Sequence, residues 1–300
     1  MKKRNLFGLS GGKDSTALWA WAINESGYDP STILGSFSDT ENEYPEVHDQ
    51  IGILNAYGLA RGVPPIRVLR SMGFLNLAIW KGRFLAAKSR FCTEHLKIIP
   101  LRHLVEELQL EGYELLSHSG VRRDESIERS TMTEFSESGG LLGIPQRRPL
   151  LELKLADVWA YHKKYGLPIN RLYSQGRRRV GCKLCIMSNK EDIRQTVLHH
   201  PEVIDEYRQW EKVVGEARSN RGMKCKISSF FRRNTVPLAQ RSTTITAEDG
   251  RVLKVCTIDD VARWSQTVRG GVQGGFDFMF DEVKFDLDDA HAPCKSGYCE

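Results

Sequence analysis

The stretch Leu6-Phe7-Gly8-Leu9-Ser10-Gly11-Gly12-Lys13-Asp14-Ser15-Thr16 narrows the folds open to this 300-residue chain more than any other. Apolar residues lead into a Ser-Gly-Gly turn, and Lys-Asp-Ser-Thr then opens a helical run from Ala17 to Ile23. A strand, a glycine turn and a helix N-terminus in that order present unbonded backbone N–H groups and a positive dipole end to phosphate oxygens. Ser10, Gly11, Gly12, Lys13, Asp14 and Ser15 are therefore candidate phosphate-binding residues, with Ser15 and Thr16 adding hydroxyls and Lys13 a charge. The stretch is not a Walker A loop, since Phe7 stands where the first glycine belongs and Asp14 follows the lysine.

Further runs repeat the strand-then-helix alternation. Strands are expected at Asn5–Leu9, Ile33–Phe37, Ile66–Leu69 and Leu115–Ser117, with helical patterns around Pro45–Tyr57 and Pro100–Leu108 between them. This alternation predicts an α/β fold with a doubly wound, mostly parallel sheet. Ligands of such sheets sit beyond the carboxyl ends of the strands. The glycine turn, Asp39 in Ser38-Asp39-Thr40, and Ser117–Arg123 with Gly120, Arg122 and Arg123 all fall at such ends. Arginine forks suit phosphate or sulfate oxygens, which makes Arg122 and Arg123 candidate anion ligands. Beyond Cys185 the pattern changes to polar helices at Asn189–His199 and Pro201–Arg218, a hairpin within Thr243–Thr257, and a helix from Ile258. The expected organisation is a nucleotide-binding domain over residues 1–188 and a C-terminal α+β extension over 189–300.

No apolar run approaches the roughly 20 residues of a membrane span, and the short apolar stretch after Met-Lys-Lys-Arg makes a signal peptide an unfavoured reading. A cytoplasmic location is expected, and there seven cysteines read as metal or redox chemistry rather than disulfides. Gly181-Cys182-Lys183-Leu184-Cys185 is a Cys-x2-Cys turn that fits zinc, a redox pair or a cluster, with Cys92 ninety residues upstream. Residues 217–247 are basic with no acid and carry Phe230 and Phe231, a combination that suits nucleic-acid phosphates and bases, or else a solvated face with two core rings. The final segment is acidic and holds Cys294 and Cys299.

Ser-Gly-Gly-Lys-Asp-Ser resembles the pyrophosphate loop of the adenine-nucleotide α-hydrolase superfamily, which holds the N-type ATP pyrophosphatases and the phosphoadenylyl-sulfate reductases. Gly120-Val121-Arg122-Arg123-Asp124-x-Ser126-x-x-Arg129, Lys97–Leu101, Pro149–Trp159, Leu167-Pro168 and Leu172-Tyr173-x-x-Gly176 resemble recurrent elements of the reductase branch. Together with Gly181–Cys185 they span about three fifths of the chain, from residue 8 to 186. The resemblance implies an adenine nucleotide (ATP or adenylyl sulfate), Mg²⁺ aided by Asp14 and Asp39, and a [4Fe-4S] cluster on Cys92, Cys182 and Cys185.

Two departures shift the expected chemistry. The iron–sulfur reductases carry adjacent cysteines where this chain has Phe91-Cys92, so three ligands carry over. The reductases' terminal Glu-Cys-Gly-[Ile/Leu]-His element, which bears the attacking thiol, has no counterpart; Cys294 and Cys299 are the thiols left for a relay, a nucleophile or a fourth ligand. The reading that follows is an ATP pyrophosphatase that adenylylates an acceptor, a nucleic-acid backbone or base, for sulfur incorporation. It resembles the ATP pyrophosphatases of bacterial DNA phosphorothioation, with a cysteine desulfurase as sulfur donor and DNA or RNA as partner. Lys13, Asp14, Arg122, Arg123, Cys294 and Cys299 are its candidate catalytic residues. The alternative is an assimilatory reductase of adenylyl sulfate or its 3′-phosphate that produces sulfite.

Overall fold

The computed structural model describes residues 2–86, 89–137, 142–222, 228–232, 235–246, 250–268 and 271–272. In chain order the main elements begin with β1 (Lys2–Leu9), α1 (Lys13–Asn24), β2 (Ile33–Asp39), α2 (Pro45–Leu59), β3 (Arg67–Arg70) and α3 (Phe74–Lys81). A π-helical turn over Thr93–Ile98 leads into α4 (Ile99–Leu110), followed by β4 (Tyr113–His118), α5 (Ile127–Ser130), β5 (Phe135–Ser136), β6 (Gln146–Arg147) and α6 (Leu155–Lys164). The remainder comprises α7 (Lys190–His199), α8 (Pro201–Asn220), β7 (Thr244–Thr246), β8 (Val252–Lys254), α9 (Ile258–Ser265), β9 (Thr267–Val268) and β10 (Gly271–Val272). Two compact units result. One holds the chain up to Gly73 with Phe91–Cys182; the other holds Phe74–Arg90 with the described residues from Lys183 onward.

In the first unit six strands run in the order β3-β2-β1-β4-β6-β5, all parallel except the short β5 edge. Strand order therefore reverses beside β1, and the crevice that opens at such a reversal is where doubly wound sheets take ligands. Alternation along β1 decides what each face meets. Leu6 pairs in register with Leu34, and both join Leu101, Leu104, Val105 and Leu108 of α4 in one buried cluster. Phe7, one residue on, pairs with Gly35 and packs edge-on to Trp19 of α1 with ring centroids 6.1 Å apart. A Cβ on Gly35 would lie 2.9 Å from the Trp19 ring, so the strand carries glycine where the indole crosses it. Burying a ring of this size is worth about 2–3 kcal/mol, and Trp19 keeps its N–H satisfied on the Leu54 carbonyl at 2.9 Å.

The second unit is mostly helical, with α3, α7, α8 and α9 beside the β7–β8 hairpin. Phe230 and Phe231 are both buried in it. The Phe230 ring packs edge-on to Tyr207 (4.7 Å), Phe84 (5.3 Å) and Phe231 (4.9 Å), while Phe74 stacks on Trp210 at 5.5 Å. These rings are the core of the unit, so the base-stacking reading of the Phe-Phe pair is corrected: burial takes both away from any ligand. No helix among the described residues is long and apolar enough to cross a membrane.

Candidate functional site

The loop between β1 and α1 turns on Gly11, whose φ of +74° is costly for any residue with a Cβ. Space closes the same position, because a Cβ there would lie 3.2 Å from the Val47 side chain and 3.3 Å from its carbonyl. Gly12 is the N-cap of α1 and supplies no side-chain cap. The Ser15 hydroxyl folds back to donate to the Gly12 carbonyl (3.1 Å), accepts the Ser10 amide (3.2 Å) and lies 3.1 Å from the Ser10 hydroxyl. Strand end, turn and first helical turn are thus one hydrogen-bonded unit.

Lys13 and Asp14 point elsewhere than a free anion loop would suggest. The Asp14 carboxylate is 0% exposed, taking the Arg122 Nε–H at 2.6 Å and the Lys13 ammonium at 2.8 Å. Arg122 is itself 4% exposed and also meets Asp124. Burial alone would lower its pKa, but Asp14, Glu125 and Asp124 more than offset that and raise it, so the guanidinium stays charged. Arg123 turns outward to Glu152 (2.6 Å) and the Ser130 carbonyl (2.5 Å).

A cleft at the carboxyl ends of β1, β2 and β4 is lined by Gly8–Ser10, Ser15, Ser36–Ser38, Glu43, Lys97, Leu101, Gly120, Val121, Arg129 and Gly181. Its enclosed part measures about 50 Å³. Of the expected residues, Ser10, Ser15 and Gly120 line it. Lys97 and Arg129 supply its cationic lining, and Arg129 is buried and paired with Glu125. Sequence spacing offered Arg122 and Arg123 as the anion ligands; the only signal for Arg129 was its place at the end of the same Gly120–Arg129 element. Gly120 backs onto the loop so closely that a Cβ would lie 3.0 Å from the Asp14 carbonyl.

Two donor sets could hold metals. Asp39, Glu43 and His48 bring one ligand atom each within 4.8 Å of one another. The two carboxylates suit a hard divalent cation such as Mg²⁺ that keeps several waters, whereas the imidazole suits a transition metal. Part of their capacity is already used: Glu43 accepts the Thr40 and Asn42 amides and the Thr40 hydroxyl, and Asp39 accepts the Glu41 amide and faces Arg70. Asp39 was legible as a strand-end acid; Glu43 and His48 carry only the spacing of the β2–α2 turn. The second set is thiol. Cys92 precedes the π-helical turn that carries Lys97, and Cys182 forms a backbone bridge with Glu43 next to the cleft residue Gly181. Cys185 belongs to the second unit, is exposed, and accepts the Met187 amide at 3.5 Å. None of the three is in a disulfide, and the expected set of three thiols is divided, Cys92 and Cys182 falling in the first unit and Cys185 in the second. Burial pushes the Cys256 thiol up to about 11, which makes it a poor fourth ligand. Cys225, Cys294 and Cys299 lie outside the described residues.

The chain's residues 4–188 match the phosphoadenosine phosphosulfate reductase domain. The chain belongs to that family, whose members bind adenine nucleotides. An uncharacterized 37.8 kDa protein of Escherichia phage 186 is 29% identical over 90% of this chain and 90% of its own length. The adenosine 5′-phosphosulfate reductase of Geobacillus kaustophilus is 29% identical over 50% of this chain and 60% of its own, and that of Burkholderia cepacia 37% identical over 22% and 26%. Among solved structures, a phosphoadenylyl-sulfate reductase from Candida auris in a phosphate complex superposes with a TM-score of 0.44 at 17% identity, covering 60% of this chain and 81% of that one.

Proposed function

We propose that this protein is an ATP pyrophosphatase that adenylylates an acceptor for sulfur incorporation. The observation that carries the reading is the cleft where Ser10 and Ser15 of the glycine turn meet Lys97 and Arg129, a polar and cationic lining suited to a phosphate chain. An acceptor oxygen would attack the α-phosphorus of ATP, the bond to the β-phosphate's bridging oxygen would break, and pyrophosphate would leave. The acceptor then carries AMP, and a sulfur nucleophile displaces it. The residues of the cleft position the phosphates and neutralise the charge that develops on them, as in phosphoryl transfer generally.

Asp39 and Glu43 would hold Mg²⁺, which supplies charge neutralisation on the phosphates; Cys92 and Cys182 would be the first unit's ligands to a cluster, which supplies an iron site for sulfur. Lys13, Asp14, Arg122 and Arg123 then shape the loop and its surroundings, Cys294 and Cys299 remain candidates for sulfur relay, and a cysteine desulfurase and DNA or RNA are the proposed partners.

The test incubates anaerobically purified protein with ATP and Mg²⁺ and then with adenylyl sulfate and thioredoxin. Pyrophosphate release is expected. Sulfite without pyrophosphate would overturn the assignment in favour of a reductase.

A further inference from the structure

The loop is held from behind as well as offered in front. Three residues of the segment that follows the sheet, all of the same unit, bond its backbone rather than its side chains. The Tyr173 hydroxyl accepts the Lys13 amide at 3.0 Å. The His162 imidazole donates its Nε2–H to the Lys13 carbonyl at 2.8 Å. The Asn170 side-chain amide donates to the Gly11 carbonyl at 3.3 Å and to the Glu46 carbonyl at 3.0 Å. The first residue of α1 is therefore held through both its amide and its carbonyl, and the turn is tied to the first turn of α2.

The chemistry of a helix start gives these contacts a purpose. The amides of Lys13, Asp14 and Ser15 stand at the start of α1, where Gly12 has no side chain to cap them. Tyr173 takes the Lys13 amide. On the Gly11 side the space is close, since even a Cβ there would lie 3.2 Å from the Val47 side chain. The braces are themselves rigid. Tyr173 packs edge-on to Trp159 at 5.4 Å, Trp159 lies 5.3 Å from His162, and α6 is anchored to the far end of α1 by Tyr161, Lys164 and Tyr165 on Glu25. His162 and Asn170 are both buried, so neither contact competes with water.

We propose that His162, Asn170 and Tyr173 are positioning residues of the nucleotide site, fixing the backbone of the Ser10–Ser15 loop in the conformation that meets phosphate oxygens. This rests on the reading of Ser10–Ser15 as a nucleotide-phosphate loop. None of the three touches the nucleotide; each acts through the peptides of Gly11 or Lys13.

The experiment measures binding of α,β-methylene-ATP with Mg²⁺, and of adenosine, to the full-length wild type, Tyr173→Phe, His162→Leu, His162→Gln and Asn170→Asp. Tyr173→Phe keeps the ring and removes one bond, and affinity for α,β-methylene-ATP is expected to fall about tenfold, as for one lost hydrogen bond of the stronger sort. His162→Leu is expected to match it. His162→Gln, which can still donate to the Lys13 carbonyl, is expected to recover wild-type affinity, a rescue that a packing role would not produce. Asn170→Asp replaces a donor with an acceptor facing two carbonyls and is expected to lose the most. Adenosine affinity stays level throughout, because the braces act on the phosphate end alone. Wild-type affinity in Tyr173→Phe and His162→Leu, failure of His162→Gln to rescue, or a parallel loss of adenosine affinity would each overturn the positioning role while leaving the nucleotide site standing. A wild type that fails to bind α,β-methylene-ATP would sink the nucleotide reading and this inference with it.

Discussion

The two units each bury a carboxylate, and they neutralise it by different means. In the sheet unit Asp14 faces two cations, Arg122 at 2.6 Å and Lys13 at 2.8 Å. In the helical unit Glu211, 6% exposed, is held by backbone amides: it accepts Phe230 N–H at 2.7 Å and Ile258 N–H at 3.0 Å. Burial pushes the Glu211 pKa up to about 7; the two amides lower it in part, and nearby Asp259 and Asp260 add to the rise. The lesson is that amide dipoles satisfy a buried carboxylate's hydrogen bonds without balancing its charge. The first arrangement ties Asp14 to a cation on the Gly120–Arg129 element. The second pins α8, residue 230 and the start of α9 together with a group that titrates near neutrality.

Breaking the cationic pair should have the largest effect. Asp14→Ala leaves Arg122 buried with a partner missing and is expected to cost about 3–5 kcal/mol, read as loss of hydrogen-exchange protection in β1 and β4 rather than in α8. Protection that falls equally in both units would erase the contrast drawn above.

The amide-held acid should show itself in pH. A raised folded-state pKa means that Glu211 contributes stability fully below its ordinary value of 4.5 and loses it as pH rises through about 7. The loss across that window amounts to about 3 kcal/mol. Protection in α8 and α9 should therefore fall between pH 5 and 8 in the wild type, and the slope should flatten in Glu211→Gln. A flat wild-type profile would show that the amides balance the charge after all.

Gly11→Ala comes next. Forcing an L side chain to φ +74° costs about 1–2 kcal/mol, and contact with Val47 adds to it, so a lower melting temperature is expected together with weaker α,β-methylene-ATP binding. Unchanged binding would separate the loop's conformation from its function.

Glu25 gives the smallest effect. Burial raises its pKa, but hydrogen bonds from Lys164, Tyr161 and Tyr165 more than offset this and hold it at about 2. Its contribution is present above pH 4.5 and lost as pH falls toward 2. The pair with Lys164 is solvent-accessible, so Glu25→Gln should cost no more than about 1 kcal/mol at pH 7, less in high salt.

Local order explains how much was readable beforehand. The glycine turn, the parallel strands and Gly120 were legible because strand, turn and helix signals sit within a few residues of one another. The C-terminal hairpin and helices followed from the same short-range patterns. Which arginine serves the cleft was not legible, since Arg122, Arg123 and Arg129 share one element and differ only in what packs around them: Asp14, Glu152 or the cleft itself. Phe230 and Phe231 left base stacking and core packing both open in sequence; the packing of α3 and α8 around them decided for core.

By itself, then, the amino-acid order determined where a phosphate could meet this chain, because a turn that frees helix amides is written in adjacent residues. Tertiary structure alone decided what grips that turn, joining Lys13 to His162 and Tyr173 and Gly11 to Asn170 across some 150 positions. Such pairings arise from side chains seeking partners as the core closes, and no local pattern encodes which partner will be in reach.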